Sequence, residues 1–236
     1  MTLAPPPSSP ELLAPAGTLK NMRYAFAYGA DAVYAGQPRY SLRVRNNEFD
    51  HANLALGIRE AQQQGKRFYV VVNIAPHNAK LKTFLKDLEP VIAMAPDALI
   101  MSDPGLIMLV RRHFPQMPIH LSVQANTVNW ASVEFWQQQG LSRIILSREL
   151  SLEEIAEIRQ QVPAMELEVF VHSDFSKHRI LSAYRSVLKK QKKQRLAFTA
   201  VSSIPVFDNL SLTSREVENG HHLKGSRRQA YGQLLR

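Results

Sequence analysis

Gly29-Ala-Asp-Ala-Val-Tyr leads out of an amphipathic stretch into an apolar run, and the same junction returns as Ala95-Pro-Asp-Ala-Leu-Ile and Gly140-Leu-Ser-Arg-Ile-Ile. A residue tolerant of the left-handed conformation ends a helix, and a short apolar run then begins a strand. A junction repeated in one sense implies parallel strands joined by crossover helices. Around these three anchors the strands are expected to start near 12, 32, 68, 98, 119, 143 and 167, at spacings of 20 to 36 residues. Those are βα-unit lengths and are too long for hairpins. Phe68–Val72 reads Phe-Tyr-Val-Val-Val and Ile144–Leu146 reads Ile-Ile-Leu; such runs suit strands covered on both faces. Between strands the period is helical. Leu152, Ile155 and Ile158 share one face, and Ser151 with Glu154 forms a capping-box pattern before it. Gly29, Gly65 and Gly140 each fall where a helix should stop.

The reading is therefore an α/β chain, and the repeated unit points to a (β/α)8 TIM-type barrel. A doubly wound open sheet is the structural alternative, because local pattern does not report closure. Counted along the sequence there are about six and a half βα units, with Leu167–Val171 as the seventh strand. After His172 nothing reads as strand eight, so the barrel is expected to be incomplete. Two open edges and self-association through them would follow.

Charge divides the chain at the same place. The formal net charge is +9, but residues 1–172 are balanced, with 16 Lys+Arg against 16 Asp+Glu. Residues 173–236 hold 13 basic and 4 acidic side chains and supply the whole excess. Three segments result: a Pro- and Ser-rich lead-in over 1–10, the partial barrel over 11–172, and a basic tail over 173–236. Lys189, Lys190, Lys192, Lys193 and Arg195 cluster in that tail, where a basic helix could meet RNA phosphates. The sequence has no cysteine, so it offers no disulfide, thiol nucleophile or thiolate metal site. Met1–Pro10 lacks the basic and apolar regions of a signal peptide, and no apolar run approaches the roughly 20 residues of a membrane span. A soluble cytoplasmic protein without membrane partners is expected.

In a (β/α) barrel, chemistry sits at the C-terminal ends of the strands. That rule selects the loop from Gln37 to Arg45 after strand two, then Asn73, Ser102 and Asp103, then Ser122, Gln124 and Asn126. Ser147, Arg148 and Glu149 follow strand six, and His172 follows strand seven. Arg39, Arg43 and Arg45 could clamp phosphate or carboxylate groups through forked hydrogen bonds. Asn73, Asp103, Gln124, Asn126 and Arg148 complete the candidate substrate-binding set, and Glu149 and His172 are the candidate proton carriers. The structural alternative is that Asp103 caps the next helix, that Asn73 and Asn126 bond loop backbone, and that Arg148 and Glu149 pair with each other. No metal-ligand cluster is expected. Walker, His-Glu-x-x-His and Gly-x-Ser-x-Gly signatures are absent.

Seven ordered segments carry a family resemblance. They are Glu11-Leu-Leu-Ala-Pro-Ala-Gly, Asp31-Ala-Val-Tyr-Ala-Gly, Tyr69-Val-Val-Val-Asn, Asp97-Ala-Leu-Ile-Met-Ser-Asp, His120-Leu-Ser-Val-Gln-Ala-Asn, Leu146-Ser-Arg-Glu-Leu and Val169-Phe-Val-His. Together they resemble peptidase family U32 over residues 11–172. The wording Asn21-Met-Arg-Tyr-Ala-Phe-Ala-Tyr-Gly and Tyr40-Ser-Leu-Arg-Val-Arg-Asn-Asn is similar to its bacterial tRNA-hydroxylating branch. The resemblance implies prephenate-dependent hydroxylation of the wobble uridine, with tRNA and prephenate as partners. Other branches hydroxylate ribosomal RNA or assist quinone hydroxylation, and the hydroxylase branches carry cysteine-bound iron–sulfur clusters. The family's old label implies a collagenase-like peptidase instead, and a non-enzymatic RNA-binding module is a third reading. The family pattern continues after its Val-x-Val-His with Gly and Cys, whereas His172 here is followed by Ser173-Asp174-Phe175. A frameshift or insertion near codon 173 is the expected cause, and a chain without cluster ligands is expected to be inactive.

Overall fold

Parallel strands need covered faces, and the helices between them supply the cover. The structure is a computed structural model that describes residues 11–36, 39–42, 48–170 and, for the backbone, 196–199. Strands β1 (Leu12–Pro15), β2 (Ala32–Gly36), β3 (Arg67–Val72), β4 (Ala98–Met101), β5 (Ile119–Leu121), β6 (Arg143–Ile145) and β7 (Glu166–Phe170) run parallel in sequence order. Helices α1 (Leu19–Ala27), α2 (His51–Gln63), α3 (Asn78–Ala93), α4 (Pro104–His113), α5 (Trp130–Gln138) and α6 (Leu152–Gln161) alternate with them. The α/β barrel class and its seven strands stand as the sequence reading has them. The helix ends do too. Ser151 and Glu154 make the reciprocal capping box of α6, and Gly29, Gly65 and Gly140 all sit at positive φ.

One expectation is corrected. Leu196–Thr199 forms β8, parallel to β7 from Leu167↔Leu196 to Phe170↔Thr199 and to β1 at Leu12↔Phe198 and Leu13↔Thr199. The sheet is a closed barrel in the order β1 to β8. The four-residue run Leu-Ala-Phe-Thr follows directly on the basic run over residues 189–195 and is too short for a period to mark it. Closure needs only enough backbone to satisfy both edges, and four residues do so. Self-association through open strand edges thereby loses its basis.

Two apolar layers separate inside from outside. Between sheet and helices lie Val33, Phe68, Val70, Leu99, Leu121, Ile144, Leu54, Ile58, Leu88 and Val110. Inside the barrel lie Leu13, Ala32, Tyr69, Val71, Ala98, Ile100 and Ile145, with half-buried Tyr34, Val123 and Phe170 packed against them. Period-two alternation makes this division: odd positions of β3 face in and even positions face out. Among the described residues no helix is long and apolar enough to cross a membrane.

Candidate active site

The barrel's interior is polar at both ends and apolar between. At the C-terminal end, Ser102, Ser122 and Ser147 lie two residues beyond interior-facing Ile100, His120 and Ile145, and Asn73 lies two beyond Val71. Alternation puts all four on the inner side of their strands. Ser122 and Ser147 are buried, and Ser102 is half-buried with its hydroxyl donating to the Asn73 carbonyl at 3.1 Å. The Ser147 hydroxyl donates to the Glu149 carboxylate. Arg148 lies over the Phe170 ring, its Cζ 4.1 Å from the centroid. Gln124 and Asn126 are exposed on a 3-10 turn, Val123–Ala125, where Asn126 adopts the left-handed conformation at φ 50°. These groups form a mouth of small hydroxyls rimmed by Tyr34, Val123 and Phe170, with one carboxylate and one guanidinium. Such a mouth offers donors, acceptors and an aromatic wall to a polar planar ligand.

Other candidate residues make contacts within the scaffold. Asp103 is the N-cap of α4 and accepts from the Leu106 N–H at 2.8 Å. The Asn73 amide oxygen accepts from the Leu42 N–H at 3.1 Å, fixing the β2–α2 loop. Arg39 pairs with Asp87 of α3 at 3.0 Å, and the Tyr40 hydroxyl donates to the same carboxylate at 2.6 Å. Arg39 is thus tied to the helical layer, with a backbone φ of 73°. Arg148 and Glu149 do not pair with each other: one rests on Phe170 and the other accepts from Ser147. Arg43, Arg45 and His172 lie outside the described residues.

Sequence reasoning missed the N-terminal half of the interior. Arg143, at the start of β6, is 1% exposed and donates to Glu11 at 2.8 Å, Glu166 at 3.0 Å and Glu168 at 3.3 Å. Glu11 also accepts from the Tyr69 hydroxyl at 2.9 Å and from Arg67 at 2.9 Å. The His120 ring packs edge-on against Tyr69 at 4.7 Å, and its Nδ1 is buried without a hydrogen-bond partner among the described residues. Burial, and then the cations Arg143 and Arg67, hold the His120 imidazole well below its usual range. Burial lifts the Tyr69 phenol above its ordinary range; Arg143 opposes this without reversing it, and Glu11 adds to it. The available signal was parity. Arg67, Tyr69, His120, Arg143, Glu166 and Glu168 occupy inward positions of strands, where a charged residue must find a buried partner.

An iron–sulfur cluster does not fit these residues. The sequence holds no cysteine, and among the described residues no group of three His, Asp or Glu side chains is arranged to hold a metal ion.

Fold and mouth together define a parallel (β/α) barrel with polar side chains gathered at the C-terminal ends of its strands. The chain belongs to peptidase family U32, whose family model matches residues 17–199. That span passes His172, where the motif reading stops, and takes in β8. A tRNA hydroxylation protein P of Escherichia coli is 83% identical over 163 residues, covering 69% of this chain and 36% of that protein. Its Haemophilus influenzae namesake is 80% identical over 163 residues, covering 69% and 35%. The chain therefore spans about a third of the length of these curated relatives. Among solved structures, the U32 peptidase Mk0906 superposes with a TM-score of 0.60 at 12% identity, over 86% of this chain and 97% of that one. That likeness is one of fold.

Proposed function

We propose that this chain provides the substrate-binding barrel of a tRNA nucleotide hydroxylase acting in the cytoplasm. The observation that carries the reading is identity of 80% or more with two tRNA hydroxylation proteins over 163 residues of this chain. The mouth fits the task. The Ser102 and Ser147 hydroxyls, whose protons go to the Asn73 carbonyl and to Glu149, keep lone pairs that accept from a pyrimidine N–H, and the Ser122 hydroxyl lies beside them as donor or acceptor. Glu149, already oriented by the Ser147 hydroxyl, takes and returns a proton at the bound nucleotide. Arg148 binds the ligand, Gln124 and Asn126 bond to its outer parts, and Arg39, Asn73 and Asp103 position the loops that frame it. Arg43, Arg45 and His172 stay in the proposal on the family resemblance alone, as does prephenate, whose carboxylates suit arginine partners. The cluster implied for the hydroxylase branches receives no ligand from this cysteine-free chain. The basic residues of 173–236 form no part of the argument.

Nucleoside mass spectrometry of tRNA from cells lacking the gene tests the reading. The expected result is loss of the hydroxylated wobble uridine, in a background without a redundant pathway. Unchanged hydroxylation there would overturn it, and the peptidase reading would then be tested by peptide cleavage and its dependence on Glu149.

A further inference from the structure

We propose that the stack of Arg148 on Phe170 is a platform for one nucleobase of a single-stranded RNA loop. The proposal rests on the RNA reading above and goes beyond it by naming the surface that holds the base. Phe170 ends β7 at the barrel mouth, half-buried, and like Val123 and Tyr34 it packs against the interior apolar cluster. Arg148 covers it at 4.1 Å, closer than Arg143 over Tyr69 at 5.2 Å or Arg39 over Tyr40 at 5.8 Å. At that separation the guanidinium carbon is in van der Waals contact with the ring face.

The arginines differ in how they are committed. Arg39 is paired with Asp87, while Arg67 and Arg143 are paired with Glu11. Arg148 makes no ion pair and no side-chain hydrogen bond among the described residues, and it is exposed. Its ring contact restrains the guanidinium while leaving one side toward solvent. A base can lie on that open side, or displace the arginine and lie on Phe170 itself, while the N–H edge meets the adjoining phosphate. Unpaired loop bases are held in this way, splayed out and stacked on aromatic rings or guanidinium planes. Ser102, Ser122 and Ser147 lie at the same end of the barrel, so stacking and any bonding to the base edge would come from different residues.

The test uses the 236-residue chain and an RNA hairpin carrying 2-aminopurine in its loop, whose fluorescence is quenched on stacking. The wild-type chain is expected to bind and quench. Phe170→Leu and Arg148→Lys are each expected to bind about tenfold more weakly, as loss of one base stack implies, and to lose the quench. Phe170→Tyr should retain both. Arg148→Lys keeps the charge on an exposed side chain, so its thermal unfolding should match wild type and its loss will not reflect misfolding. The salt slope of binding by Phe170→Leu should be unchanged, because no phosphate contact is removed. Binding and quenching at wild-type levels in either variant would overturn the platform and leave the RNA reading standing. A wild-type chain that does not bind the hairpin would overturn both.

Discussion

Arg143 shows how much of the interior rests on one residue. It brings a cation from β6 among Glu11, beside β1, and Glu166 and Glu168 of β7, inside a sheet whose middle is apolar. Removing one partner of a buried ion pair strands the others, at a cost of about 3–5 kcal/mol. Arg143→Leu should lose that much stability in urea unfolding. Arg67→Ala, whose side chain is 54% exposed, should lose less than about 1 kcal/mol. Equal losses would mean that the network is screened by water. The neighbouring groups set a pH dependence whose sign follows from their directions of shift. The native barrel holds His120 neutral below its usual 6.5, so the unfolded chain binds the extra proton there. Stability is then fully present above pH 6.5 and falls as pH drops below it. Tyr69 is the reverse case. Its native phenol stays protonated above the usual 10.0, so stability falls as pH rises past that value. Stability against pH should form a plateau between these limits, and His120→Gln should flatten the acid limb. An acid limb of equal slope in both proteins would contradict the assignment. None of this was legible beforehand. An arginine after Leu-Ser and before Ile-Ile reads as a surface residue until register shows which way it points.

Elements were more legible than the residues inside them, and the reasons are local. Strands β3 and β6 announce themselves by unbroken apolar runs, and α6 by its Ser151–Glu154 box. Asp103 was equally legible as a cap or as a site residue, and the Leu106 N–H shows the cap. Strand β8 was not legible, because its identity lies in what it pairs with and not in its own four residues. That makes it the element to test. Ala197 sits between Glu168 of β7 and the β1 edge, within a ladder bonded on both sides. Ala197→Pro removes a backbone donor and should open that ladder. Hydrogen exchange is expected to quicken at the β1 and β7 amides and to stay at wild-type rates in β3 and β4. Unaltered protection in β1 and β7 would show that the Arg143 network holds those strands together without β8.

At the scale of the molecule, binding and chemistry separate. The barrel closes, its mouth is built from β2 to β7, and every described residue proposed to touch RNA lies there or on the loops beyond. The redox centre implied for the family's hydroxylase branches is held by thiolates, and this chain has none to give. Closure of the sheet removes one reason to expect inactivity, since the site's scaffold is intact, but it does not provide ligands. The chain should therefore bind an RNA hairpin yet show no iron-dependent visible absorbance after incubation with iron and sulfide under reducing conditions. Expressed in cells lacking wobble hydroxylation and any redundant pathway, it should leave the uridine unmodified. The same cells expressing the longer Escherichia coli relative should recover the modification. Recovery with this chain alone would mean that hydroxylation needs no thiolate from the polypeptide that binds the RNA. The proton-handling groups at the mouth, Glu149 foremost, would then be the place to look for the chemistry.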